Sequence, residues 1–255
     1  MTLCFKVASI AALVFLIGPL LVIVPISFSS AQYLTFPPPG LSLQWYVRFL
    51  GTPQWIDSIW VSLQVASISA VLAGTLGTMA SIGLVRGRFR GKMMAYGLIL
   101  APMIVPVIIT GVADYFFFSR LGMSGTVAAI ALGHTVVVLP MVVVIVSATL
   151  QGFDERLEQA AISLGASRWC AFRRVTLPII APGLVTAALF AFLASFDELV
   201  IPLFLGGTRA QTLAVRIWNS MLLEIEPTIA AVSTFLMLVS IAVLTVVFLM
   251  RRMRA

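Results

Sequence analysis

The sequence predicts an all-α polytopic membrane protein with six transmembrane helices. Three observations predict it. Of the 255 residues, 61% are hydrophobic and only 10% are charged, against roughly 25% charged in a soluble domain. Mean hydropathy is +1.11. The apolar residues also recur in long runs, and about 20 of them in a helix cross the ~30 Å hydrocarbon layer. One transmembrane domain over residues 1–255 is the simplest organisation.

The runs fall at about 7–28, 59–85, 93–118, 125–149, 179–205 and 228–250. The first follows a single positive residue, Lys6, and no small-x-small cleavage site comes after it. It reads as a retained helix rather than a removed signal. Residues 29–57 contain Pro37-Pro38-Pro39-Gly40, a turn-rich stretch that should leave the membrane. On the second span, Gly74, Gly77 and Ser81 form a small-residue face suited to close helix packing. Residues 86–92 join spans two and three and read as a topology signal that contacts lipid headgroups. Pro102 and Pro106 predict a kink or break in span three. Residues 206–227 form the second substantial loop on the first loop's side.

Charge placement orients these spans. The net charge of +7 invites a nucleic-acid reading, but the positive residues sit in short interhelical loops and at the termini. One side holds Lys6, Arg86, Arg88, Arg90, Lys92, Arg156, Arg168, Arg173, Arg174, Arg251, Arg252 and Arg254; the other holds Arg48, Arg120, Arg209 and Arg216. Twelve against four predicts that both termini and the 150–178 loop face the cytoplasm. Cys4 and Cys170 are too few for a disulfide framework and are expected as free thiols.

The 150–178 loop is a polar island between two apolar runs. Asp154, Glu155 and Glu158 suit the positive first turn of a short helix. Leu157, Ala160, Ala161 and Leu164 then form one apolar stripe with a small-residue centre, which lets another surface come close. Gly165 suits a left-handed turn after that helix, and Ser167 suits the cap of a second helix over 168–174. Pro178, which restricts Leu177, marks the start of the next span.

Within the spans, carboxylates are costly and usually face a cavity or a partner. Asp197 and Glu198 stand in the fifth run and Asp114 in the third. They read as contacts along a route for a cation, with Phe192, Phe196 and Trp218 adding aromatic faces. The other reading pairs Asp197 or Glu198 with a cation or backbone group, and leaves Asp114 hydrated near the outer surface. His134 is the single histidine, too isolated for a metal site, and reads as a structural hydrogen-bonding residue. No phosphate-cradling Gly-x-x-x-x-Gly-Lys-Ser/Thr stretch exists, so nucleotide chemistry must come from another chain. No nucleophilic pairing presents itself either, and the chain is not expected to be an enzyme.

Gln159-Ala160-Ala161, Gly165 and Val175-Thr176-Leu177-Pro178 resemble the EAA loop of bacterial ABC-importer permeases. In that family the loop is the coupling helix that docks into the ATPase subunit. The resemblance assigns coupling to Glu158, Gln159, Ala160, Ala161, Gly165, Leu177 and Pro178. Gln159 stands where the family usually has Glu, and Glu158 precedes it by one place. Ser195-Phe196-Asp197-Glu198, Leu203–Gly207 and the run from Gln211 to Trp218 further resemble the second permease of spermidine/putrescine importers.

That resemblance implies an inner-membrane permease working by alternating access. Its implied partners are an ATPase dimer, a second homologous permease, a periplasmic solute-binding protein and membrane lipid, with no nucleic acid. ATP and Mg²⁺ would sit on the ATPase, and no cofactor on this chain. The implied solute is a polyamine, or another small organic amine such as aminobutyrate or an opine. Two rivals of other classes are a proton-coupled secondary carrier using the same carboxylates and a structural membrane anchor.

Overall fold

The six apolar runs lie mostly on helix in the computed structural model, with breaks inside the third and fifth. The structure describes residues 2–223 and 226–252, with side chains over 5–223 and 226–241. Cys4, Arg251, Arg252 and Arg254 therefore lie outside the described side chains. Four helical segments are individually long and apolar enough to span: Phe5–Ser27, Pro53–Arg86, Val127–Gln151 and Arg168–Phe196. A fifth span is a bent pair, and the sixth run lies on the helix Thr228–Arg252. No strand occurs among the described residues, and Ser29 and Leu41 form an isolated bridge.

The chain divides into two compact units. One comprises Met1–Ile56 and Arg216–Ala255. It contains α1 (Thr2–Ser27), α2 (Gln44–Gly51) and α12 (Thr228–Arg252), with α1 packed along α12. The amphipathic α2 buries Trp45 and Phe49, and Phe49 meets the Phe235 ring at 5.5 Å. Arg48 on the same helix pairs with Glu226 at 2.9 Å. Trp45 Nε1 donates to the Ser29 carbonyl at 2.8 Å, which fixes the start of the polar connection.

The second unit is Asp57–Val215. It carries most of α3 (Pro53–Arg86), then α4 (Lys92–Leu100), α5 (Val107–Arg120) and α6 (Val127–Gln151). After them come α7 (Glu155–Ser163), α8 (Arg168–Ala171), α9 (Leu177–Phe196) and α10 (Val200–Leu205); α11 (Leu213–Leu223) starts in this unit. The axis is α6, with 61% of its most apolar window buried, against 33% for α3. Small residues let its neighbours approach. A Cβ on Gly77 of α3 would overlap Val142 of α6, and one on Gly183 of α9 would overlap Thr149. Ser69 and Ser81 of α3 donate to the Ala131 and Val143 carbonyls of α6, at 2.9 and 3.2 Å. Gly74 departs from the expected packing face: nothing lies within 4 Å of its added Cβ.

Two spans are interrupted. Span three bends by 96° between the turn Ala101–Met103 and α5, because Pro102 and Pro106 lack the N–H donors a continuous helix needs. Span five differs from the expected 179–205. Its helix ends at Phe196, and α10 starts afresh at Val200. Hydropathy alone does not report this break, since apolar residues continue on both sides of it.

Candidate functional site

The loop between α6 and α9 is built by local rules. Asp154 caps α7, its carboxylate accepting the Arg156 N–H at 3.0 Å. At the other end Gly165 adopts φ +91°. The Ala166 N–H then reaches the Ala161 carbonyl at 3.1 Å, and the Gly165 N–H reaches Ile162 at 2.9 Å. This paired closure satisfies carbonyls at the helix end and needs a residue that tolerates positive φ. Ser167 Oγ accepts the Cys170 N–H at 3.2 Å and caps α8. The second helix is α-helical only to Ala171, not through 174. Phe172–Thr176 follows as a wider π-helical turn that leads directly into α9, with Pro178 in the first turn.

Four of the loop's large apolar side chains face outward, while Phe153 and Ala171 are buried. Leu164 is 89% exposed and Trp169 69%, and Leu157 and Ile162 are exposed as well. Gln159 and Ala160 are exposed, Ala161 and Leu177 partly covered. Glu158 alone among the loop's carboxylates turns inward. Its Oε2 accepts from Thr176 Oγ1 at 2.6 Å and pairs with Arg86 Nη1 at 2.8 Å. The Arg86 guanidinium also lies 5.6 Å from the Phe153 ring centroid. Arg86, expected to meet lipid headgroups, is therefore an internal partner of the loop. The carboxylate and the aromatic ring offer its charge more than the membrane surface does.

A second polar cluster lies inside the spans. His134 of α6 is 1% exposed. Its Nδ1 is 2.7 Å from Ser195 Oγ, and its Nε2 is 3.3 Å from Glu198 Oε2. Glu198 also caps α10, accepting the N–H groups of Val200 and Ile201, each at 2.9 Å. That cap supplies the physical reason for the break in span five: the carboxylate takes donors that α10 cannot satisfy within itself. Asp114 of α5 comes to the same region. A Cβ on Gly133 would stand 2.7 Å from Asp114 Oδ2, which is buried with no hydrogen-bond partner among the described residues. Beside the cluster is a cavity of about 360 Å³ lined by Pro102, Met103, His134, Met141, Ala194 and Glu198.

The sequence-predicted route residues thus separate. Glu198 lines the cavity and Asp114 adjoins it by way of Gly133. Asp197, the residue after α9, is exposed. Phe196 stacks on Phe192 with ring centroids 6.0 Å apart. Trp218 is 40% exposed on α11, within the other compact unit.

Residues 73–255 match the family of binding-protein-dependent transport system inner membrane components. The chain belongs to that family. It is 34% identical over 230 residues to the putrescine transport system permease protein PotI of Escherichia coli K12, covering 88% of this chain and 82% of PotI. It is 31% identical to the spermidine/putrescine transport system permease protein PotC of Haemophilus influenzae, covering 92% and 91%. It is also 31% identical to the molybdenum transport system permease protein ModB of Mycobacterium bovis, covering 76% and 78%. In fold it is similar to a bacterial ABC transporter that imports the acidic polysaccharide alginate, with TM-score 0.76 and 16% identity over 96% of this chain and 95% of that one.

The chain is accordingly a multi-pass inner-membrane permease subunit and not an enzyme; ATP hydrolysis belongs to a separate subunit. In this permease, sequence reasoning located the Gly165 turn and the Ser167 cap of the docking loop but missed Arg86 and Thr176 as partners of Glu158, and Phe153 as a partner of Arg86. It also missed Ser195 and Glu198 as partners of His134. A carboxylate two residues before an apolar turn was the available signal that Glu198 is a cap.

Proposed function

We propose that this permease carries a small organic cation, a polyamine such as putrescine or spermidine, into the cell by ATP-driven alternating access. The 150–178 loop docks an ATPase dimer, which holds ATP and Mg²⁺, while this chain holds no cofactor. A second homologous permease and a periplasmic solute-binding protein complete the complex in a lipid bilayer. Both termini face the cytoplasm, the side that the Lys/Arg excess favours.

The observation that carries the docking role is the exposed apolar face of the loop. Leu164 and Trp169 stand out at 89% and 69% exposure on well-formed turns. A soluble protein surface would seldom leave such side chains clustered without a partner. The solutes in the names of PotI and PotC, together with the carboxylates at the cavity, support a cationic cargo. An ammonium group near Glu198 Oε1 or Asp114 Oδ2 would gain attraction in a region poor in water. Glu158, Gln159, Ala160, Ala161, Gly165, Leu177 and Pro178 form the coupling segment, and Asp114 and Glu198 stand along the route. Aminobutyrate-like amines and opines are the nearest other cargoes, and the likeness to ModB adds an oxyanion reading.

The test is uptake of labelled putrescine and spermidine by cells holding the whole transport system, with and without this chain. Aminobutyrate and molybdate serve as competitors. Chain-dependent polyamine uptake that neither competitor lowers is the expected result. Uptake of labelled molybdate in place of polyamine would overturn the cation reading.

A further inference from the structure

We propose that Arg86 is a positioning residue for coupling, clamping the docking helix α7 to the end of α3 through Glu158. The proposal rests on the loop being the ATPase dock. It adds how movement at that dock reaches a span the loop is not connected to in sequence.

Among its described residues α7 buries none. Its large apolar side chains, Leu157 and Ile162, are exposed, so packing holds it weakly. The Glu158 carboxylate is the polar contact that turns inward, and it joins three elements at one atom. Arg86 is the last residue of α3, and Thr176 closes the π-helical turn that runs into α9. Both reach Glu158 Oε2, at 2.8 and 2.6 Å. A displaced α7 therefore pulls on α9 through Thr176 and on α3 through Arg86. The pull on α9 could also pass along the chain. The pull on α3 could not, because spans three and four intervene in sequence.

Arg86 is suited to transmit force. Its side chain is 22% exposed and that of Glu158 19%, so solvent screens the pair less than it screens a surface pair. The guanidinium carbon stands over the ring of Phe153, which is 7% exposed just after α6. This contact limits the positions the side chain can take. A helix is stiff along its axis, and the 34 residues of α3 span about 51 Å. Movement at its last turn is thus felt across the membrane.

The test uses the complete complex in proteoliposomes, with labelled putrescine uptake and ATP hydrolysis measured together. Arg86→Gln is expected to keep the ATPase bound but lower solute moved per ATP by at least about fivefold. Arg86→Lys should recover part of that loss, and exchanging the charges in an Arg86→Glu/Glu158→Arg double variant should recover more than Arg86→Glu alone. A structural role without coupling would lower the amount of complex and leave solute per ATP unchanged. If Arg86→Gln does not assemble, hydrogen exchange in the Arg86→Lys complex decides. Faster exchange over residues 155–163 supports the clamp, and unchanged exchange there overturns it. Normal solute per ATP in Arg86→Gln also overturns it. Gly165→Trp is the control for the dock itself. If that variant still binds the ATPase, the docking reading has failed. If it loses the ATPase while Arg86→Gln couples normally, only the clamp has failed.

Discussion

His134 Nδ1 stands 2.7 Å from Ser195 Oγ, so α6 is bonded to the last turn of α9 just before the chain breaks. The next residue but two, Glu198, caps the helix that restarts beyond the break. One imidazole therefore touches both sides of the interruption. His134 Nδ1 shares a hydrogen bond with Ser195 Oγ, whereas Nε2 lies 3.3 Å from Glu198 Oε2 without hydrogen-bond geometry.

Ser195→Ala should remove this bond and leave a buried ring nitrogen unpaired. Hydrogen bonds between membrane helices average about 0.6 kcal/mol and reach about 1.7. The loss is expected near the upper figure because both residues are buried. Thermal unfolding in detergent measures it, and an unchanged midpoint would remove the bond from the account of stability.

The two adjacent carboxylates should behave differently. Glu198→Gln keeps one acceptor oxygen but loses the charge and half of the α10 cap, a loss of up to about 1 kcal/mol. Asp197→Asn alters an exposed group that follows α9. Labelled putrescine uptake should fall clearly in Glu198→Gln and little in Asp197→Asn. Equal effects, or none in Glu198→Gln, would contradict the ranking.

Gly133→Ala probes Asp114 from behind. Its Cβ would press on Asp114 Oδ2 at 2.7 Å and on Ile201 Cγ2 at 3.0 Å. Overpacking of this kind costs about 1–3 kcal/mol, and the displaced carboxylate should lower cation uptake. Gly74→Ala, which meets nothing within 4 Å, should not destabilise the isolated chain and should gain up to about 1 kcal/mol of helix propensity. Comparable unfolding of the two variants would show that the close approach at Gly133 is not a constraint.

The docking turn carries its own prediction. Gly165 has φ +91°, with open space around its Cβ position. Gly165→Ala should therefore cost about 1–2 kcal/mol through backbone conformation alone. Partial loss of ATPase capture, measured by copurification, is the expected outcome. Capture at the normal level would mean that the turn tolerates strain or does not set the dock.

These residues also show what was legible in the sequence. Capping is local, so Gly165 and Ser167 could be read from spacing, and the structure has both at helix ends; Asp154, read as a first-turn carboxylate, is instead the residue that caps α7. Hydropathy and the two prolines of span three likewise report properties of single segments. The pairing of Arg86 with Glu158 is different, because two spans separate them in sequence. A cation in a short loop looks the same whether it faces lipid or a carboxylate. Glu198 was legible as an expensive intramembrane charge, but its use as a cap depends on where α9 stops. Continuous apolar residues hid that stop. The small-residue face of α3 was read correctly at Gly77 and Ser81. It failed at Gly74, because composition shows that a helix can be approached but not what approaches it.

The most direct test of the central claim is solute movement against energy source. The complete complex is placed in proteoliposomes with labelled putrescine, and either ATP or an imposed proton gradient is supplied, for the wild-type chain and for Gly165→Trp. The account predicts uptake that requires ATP, ignores the gradient and disappears in Gly165→Trp, in which a bulky side chain at positive φ spoils the docking turn. Uptake driven by the gradient without ATP, or normal ATP-driven uptake by Gly165→Trp, would contradict it.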